Sequence, residues 1–188
     1  AQGRYSDAYL VNWKSNVFPG ILGRVCDRPC EPACRRTRVE EKPVAICRLK
    51  RVAADQRDDV TPLLPKVPQL KNGKRIACVG AGCASLTVAN DLLPLGYEIT
   101  MFEQWGQAGG LMRTNIPSFR LPAQVLNEEI AMIVDRGVDL QLGARIESMQ
   151  KLLSDGGFDA VFVGTGAPKG KELDLPGRKE GTANIHVG

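Results

Sequence analysis

The sequence predicts an α+β chain in two parts, an all-α segment over residues 1–57 and an α/β segment over residues 74–188, joined by a linker at 58–73. Three observations carry this. The apolar spacing before residue 57 is helical, three prolines fall within seven residues at Pro62, Pro65 and Pro68, and from Lys74 the pattern becomes strand, glycine turn, helix, strand.

In the first part, Tyr5, Ala8, Tyr9 and Trp13 repeat like one face of a short helix over residues 5–15. The stretch NVFPGILGRVC reads as a loop punctuated by Pro19 and Gly20, leading into the cysteines. After Pro43, Val44, Ile46 or Cys47, Leu49 and Val52 mark a second helix, with the proline suited to its first turn. Nothing near Ala1 caps the first helix, so the chain is expected to begin inside something larger.

In the second part, KRIACV is a strand, GAGCAS a glycine turn, LTVANDLLPLG a helix and YEITMFE a second strand, the opening of a βαβ unit. LNEEIAMIVDRGVDLQL adds a helix ending near Gly137 and a strand, and GFDAVFVGTGA an apolar strand with another glycine turn.

Composition narrows the classes. With 188 residues and 43% hydrophobic content, the chain can bury a sizeable core. No run of 18 or more apolar residues and no secretory pattern occurs, so no membrane partner and a cytoplasmic location are the default expectation. The net charge of +4 is uneven: residues 1–57 carry 12 Lys/Arg against 6 Asp/Glu, and residues 58–188 carry 13 against 15. Aromatics make up 5% and do not interleave with the basic residues, which argues against nucleic acid. The single histidine, His186, leaves little for a histidine base or a histidine-rich metal site.

Gly80-Ala81-Gly82-Cys83-Ala84-Ser85 fits G-x-G-x-x-G with serine in the third glycine place, between a strand and a helix, and Glu103 ends the next strand. Gly80 permits the tight turn, Gly82 lets backbone approach a pyrophosphate at the helix start, and Ser85 is small enough for helix and strand to pack closely. Glu103 would accept from the ribose hydroxyls and disfavours a 2′-phosphate, leaving FAD or NAD. Gly109-Gly110, Arg113 and the loop IPSFRLP follow, more than a plain NAD-dependent dehydrogenase needs and suited to a longer dinucleotide.

Cys26, Cys30 and Cys34 are spaced C-x₃-C-x₃-C, and Cys47 follows within 22 residues of the first. In a chain with no export signal these read as metal ligands or reduced thiols rather than disulfides. Spacing alone leaves iron–sulfur, zinc and unliganded thiols open. Cys78, on an apolar strand, reads as a core residue, and Cys83, at a helix start, as part of the dinucleotide turn.

Together GRVCDRPCEPAC, KPVAICRLKR, GAGCASLTVANDLLPLGYEITMFE, GGLMRTNIPSFRLP and FDAVFVGTGAPKGKELDLPG resemble the flavoprotein family of the glutamate synthase small subunit, which includes the N-terminal half of dihydropyrimidine dehydrogenase. The resemblance implies a helical ferredoxin-like [4Fe–4S] domain, truncated at its N-terminus, before the first part of a Rossmann-like FAD-binding domain. It carries over Gly80, Gly82, Glu103, Gly110, Leu111, Thr165 and Gly166 as FAD contacts, with Cys83, Ala84, Ser85 and Arg113 beside them. It favours iron–sulfur at Cys26, Cys30, Cys34 and Cys47. It also implies that ligands of two clusters interleave along the chain, that Cys34 can share a cluster with upstream thiols, and that Cys47 can replace a cysteine found where Leu22 stands.

Cys83 stands where proline is usual and Asn115 where glycine is common, and neither removes a required contact. The implied activity is electron passage from NAD(P)H, bound by a domain outside this chain, through FAD and clusters to a catalytic large subunit or ferredoxin-like partner. These 188 residues alone are expected to be inactive. A zinc-binding or nucleotide-binding module without catalysis is the competing class, alongside the plain dehydrogenase.

Overall fold

The computed structural model describes residues 2–167. Helix α1 spans Tyr5–Trp13, and of the anticipated apolar face it buries Tyr9 and Trp13 while Tyr5 and Ala8 stay exposed. The expected loop after it is instead helix α2, Pro19–Val25, with proline at its first turn, where the missing N–H costs nothing. Its glycines serve packing: a Cβ on Gly23 would lie 2.7 Å from the backbone nitrogen of Arg51 in helix α3, Ile46–Asp55, so the two helices approach backbone to backbone. Helix α3 starts three residues beyond Pro43, later than the sequence suggested, and buries Cys47 and Ala53.

The proline-rich stretch has one short turn of 3₁₀ helix at Thr61–Leu63. It packs rather than hangs free: Val60 and Leu64 are buried against Tyr9 and Trp13, and the Arg136 guanidinium donates to the Pro65 carbonyl at 2.9 Å. Arg57 lies over the Tyr9 ring, 4.7 Å from its centroid.

Four parallel strands follow: β1 Arg75–Val79, β2 Glu98–Glu103, β3 Val138–Leu142 and β4 Ala160–Val163, in the order β3-β2-β1-β4. Helices α4, Cys83–Leu92, and α6, Ala123–Val134, make the crossovers from β1 to β2 and from β2 to β3, with short α5, Leu111–Thr114, between β2 and α6. Helix α7, Met149–Ser154, precedes β4; Ser148 caps it by accepting from the Lys151 N–H at 3.2 Å.

Strand β1 is nearly all buried, as a central parallel strand must be. Its Ile76 and Cys78 join Leu86, Leu93, Ile99, Met101, Leu126 and Ile133 in one core, which also takes in Phe18 and Ile21 from the helical part. Truncating Ile21 or Leu86 to alanine would cost about 2–5 kcal/mol. Among the described residues, no helix is long and apolar enough to cross a membrane.

Candidate functional site

The strand order places the direction change between β1 and β4, and the glycine turns leaving these two strands meet there. Gly80, at φ +94°, donates its N–H to the Phe102 carbonyl at 2.7 Å, while the Gly164 N–H reaches the Val79 carbonyl at 2.8 Å. A Cβ on Gly80 would sit 2.5 Å from the Gly164 carbonyl oxygen, so no side chain fits. Gly82 differs. A Cβ there would meet nothing within 4 Å, which leaves open space directly over the start of α4.

Cys83 and Ala84 are exposed in that first turn, where backbone N–H groups lack intrahelical partners. Ser85 is fully buried, and a Cβ on Gly164 would run into its Oγ, the close helix–strand contact its small size permits.

Glu103, 5% exposed, ends β2 beside this turn. Its Oε2 accepts from the Ala81 N–H at 2.8 Å and its Oε1 from the Trp105 N–H at 3.0 Å. Each carboxylate oxygen keeps a second acceptor site, so the side chain is locked in place with capacity for a ligand hydroxyl.

The second glycine pair folds onto the first turn. The Gly109 N–H donates to the Ala81 carbonyl at 2.8 Å, and Gly110, at φ +52°, would place a Cβ 3.0 Å from the Gly82 Cα. Leu111 is half-exposed beside it. Arg113 is committed to protein groups: Nε donates to the Ala108 carbonyl at 2.6 Å and the guanidinium to Asn127 Oδ1 at 2.7 Å, tying the loop to α6. Across the turn, Thr165 is exposed and Gly166, at φ +72°, again faces open space.

The cysteines are gathered only in part. Helix α2 ends by delivering Cys26, whose N–H bonds to the Leu22 carbonyl at 3.1 Å. Cys47 lies alongside on α3, its Sγ 3.9 Å from the Cys26 carbonyl. The Arg28 N–H, 3.4 Å from Cys26 Sγ, holds that thiol below its usual range, whereas burial pushes the Cys47 thiol up. Cys34 is also held low, chiefly by the backbone N–H of Val44 and then that of Arg36. Thiolate is the form that ligates iron–sulfur clusters and zinc alike, and backbone N–H groups at sulfur favour it at Cys26 and Cys34.

Cys30 is exposed, and among the described residues no three Cys, His, Asp or Glu side chains converge on one metal position. Residues 27–45 are mostly exposed and carry hydrogen-bonded turns and one 3₁₀ turn at Arg35–Arg38. Cys78 is fully buried on β1, its thiol pushed up to about 11 by desolvation. His186 and the whole PKGKELDLPG stretch, residues 168–177, lie outside the described residues.

Sequence reasoning missed Glu129. It is 3% exposed on α6 and accepts from the backbone N–H of Gly20 at 2.6 Å, that of Ile21 at 3.1 Å and the Tyr9 hydroxyl at 3.1 Å. A signal was present: Glu129 falls within the buried stripe formed by Leu126, Ile130 and Ile133.

Comparison with known proteins agrees with these features. Residues 1–61 match a family model described as dihydropyrimidine dehydrogenase domain II, 4Fe-4S cluster. The NADP(+)-dependent formate dehydrogenase subunit beta of Moorella thermoacetica is 36% identical over 203 residues, covering 95% of this chain and 28% of that protein. The glutamate synthase [NADPH] small chain of Mycobacterium tuberculosis is 34% identical over 181 residues, covering 95% of this chain and 36% of its own length. The NADPH-Fe(3+) oxidoreductase subunit beta of Geobacter sulfurreducens is 37% identical over 183 residues, with 95% and 27% covered. The chain thus spans about a third of the length of these relatives. These similarities run over 95% of this chain and, with an N-terminal segment matching a 4Fe–4S domain ahead of a parallel sheet with glycine turns, show its likeness to the glutamate synthase small chain and to dihydropyrimidine dehydrogenase domain II.

Proposed function

We propose that this chain forms the FAD-binding and iron–sulfur-binding part of an electron-transfer oxidoreductase that takes electrons from NAD(P)H and delivers them to a partner subunit or ferredoxin. The strand order β3-β2-β1-β4 is that of a Rossmann-like half, whose ligand lies outside the carboxyl ends of the strands where the order reverses. The observation that carries the FAD assignment is the pairing of two glycine turns, Gly110 on Gly82, around space that a Cβ on Gly82 would enter freely. A single mononucleotide turn has no use for the second.

Within that arrangement the chain's own groups have distinct tasks. Gly82 and the N–H groups of Cys83 and Ala84 would hold the pyrophosphate, with positive helix-terminus potential. Glu103, held by Ala81 and Trp105, accepts from ribose hydroxyls. Thr165, Gly166 and Leu111 border the flavin side, and Arg113 braces the second turn from behind through Ala108 and Asn127. Cys26, Cys30, Cys34 and Cys47 supply thiolates to a cluster, alone or shared with other thiols of the full-length protein. A flavin held there would supply the chemistry of hydride acceptance and one-electron release, while the protein sets position and potential.

The names of the similar proteins support a partner subunit and NADPH use, each being a subunit or small chain and two naming NADPH outright. An anaerobic absorption spectrum of the full-length protein tests the reading. Flavin bands at about 450 nm with a broad iron–sulfur shoulder support it, and a colourless, zinc-containing protein overturns it.

A further inference from the structure

Helix α2 is held at both ends by the α/β part. At its start, the Glu129 carboxylate on α6 takes the N–H groups of Gly20 and Ile21, and the Tyr9 hydroxyl closes the site. The fit leaves no slack, since a Cβ on Gly20 would lie 2.9 Å from Glu129 Oε1. At its end, Arg120 Nε, from the IPSFRLP loop, donates to the Arg24 carbonyl at 3.2 Å. Two residues later the chain reaches Cys26. From another position α6 holds the second glycine turn, through Asn127 to Arg113 and with Ile130 Cδ1 3.4 Å from where a Gly109 Cβ would be. One helix therefore touches both the dinucleotide turns and the strut that carries the first cysteine.

We infer that Glu129 is a positioning residue: from α6 it fixes the start of α2, with Arg120 fixing its end, so that the Cys26 segment is held at a set distance from the paired glycine turns. The inference rests on the proposed FAD and iron–sulfur reading and goes beyond it, because Glu129 touches neither group.

A buried carboxylate is suited to this task. Its two oxygens accept from three donors; burial holds its pKa above the ordinary carboxyl value, and those donors and the Arg57 charge offset only part of that rise. Glutamine keeps the shape but turns an amide N–H₂ toward one of the backbone N–H groups, leaving a buried donor unpaired.

The test uses the full-length protein, first as wild type, with Glu129→Gln and Arg120→Gln beside it. In Glu129→Gln, hydrogen exchange at residues 20–26 should rise by about tenfold or more while residues 75–79 keep wild-type protection. In stopped flow, flavin bleaching by NAD(P)H should stay within about twofold of wild type while cluster bleaching slows by about tenfold, a split that general loss of fold would not produce. Arg120→Gln, which removes a surface contact and leaves the core intact, should shift exchange and cluster bleaching in the same direction by less. Unchanged exchange and cluster bleaching in both variants would overturn the inference, as would parallel slowing of the two steps. A wild-type protein lacking flavin and cluster bands would overturn the proposed function before any variant is compared.

Discussion

Gly110 rests its backbone on Gly82: a Cβ on the former would lie 3.0 Å from the Cα of the latter, yet a Cβ on Gly82 would meet nothing within 4 Å. The fold alone requires the first glycine to be small, whereas for the second the proposed ligand supplies the reason. Gly80, against the Gly164 carbonyl at φ +94°, belongs with the first kind.

Alanine substitutions should separate these roles. Gly80→Ala combines a left-handed backbone with a steric collision and should cost about 3 kcal/mol or more. Gly110→Ala should cost about 1–3 kcal/mol. Gly82→Ala has an extended backbone and no neighbour, so its stability should change by about 1 kcal/mol at most, the range of a helix-cap effect, while bound flavin falls sharply. Thermal unfolding beside flavin content of the purified full-length protein checks this. A Gly82→Ala protein that retains wild-type flavin would remove the reason given for that residue.

Two cysteines of the α/β part should differ in reactivity. Cys78 is fully buried with its thiol pushed up to about 11, so little thiolate forms near pH 8; Cys83 is exposed in the first turn of α4. Peptide mapping after alkylation of the native protein should find Cys83 modified and Cys78 untouched. Added FAD should slow the Cys83 reaction severalfold, because the proposed pyrophosphate covers that turn.

Asp159 joins the starts of β4 and β1. Its carboxylate accepts from Lys74 Nζ at 2.7 Å and the Arg75 N–H at 2.9 Å, and these two, Lys74 foremost, hold it below the ordinary carboxyl value of 3.8. A group depressed on folding contributes stability that is present above its unfolded value and lost as pH falls through its folded value. Asp159→Asn should therefore melt below wild type near neutrality, with the gap closing as pH drops under 3.8. A gap that persists undiminished in acid would assign the loss to packing instead.

The parallel-sheet part was largely legible in the sequence, because its signals are local. An apolar strand, a glycine turn and an acid 21 residues past Gly82 leave few alternatives, and Gly80 occupies the tight turn position its place in the motif suggests. Helix α2 was not legible as a helix, since Pro19, Gly20 and Gly23 are ordinary loop residues until their neighbours are known; Glu129 and Arg51 are more than 25 residues away and turn those glycines into contacts. The proline stretch hid its burial of Val60 and Leu64 for the same reason. The partners of Arg113, the Ala108 carbonyl and Asn127 Oδ1, were not legible, because they are decided by the fold of the second turn. For the cysteines, spacing indicated ligands without their grouping, and the structure joins only Cys26 with Cys47.

The most direct test of the account is chemical analysis of the full-length protein, purified anaerobically, for FAD, iron, acid-labile sulfide and zinc, alongside single serine substitutions at each of the six cysteines. The account predicts bound FAD with iron and sulfide in equal amounts, a whole cluster lost on changing Cys26, Cys30, Cys34 or Cys47, and no loss on changing Cys78 or Cys83. Zinc in place of iron and sulfide, or iron that survives all four of the first substitutions, would contradict it.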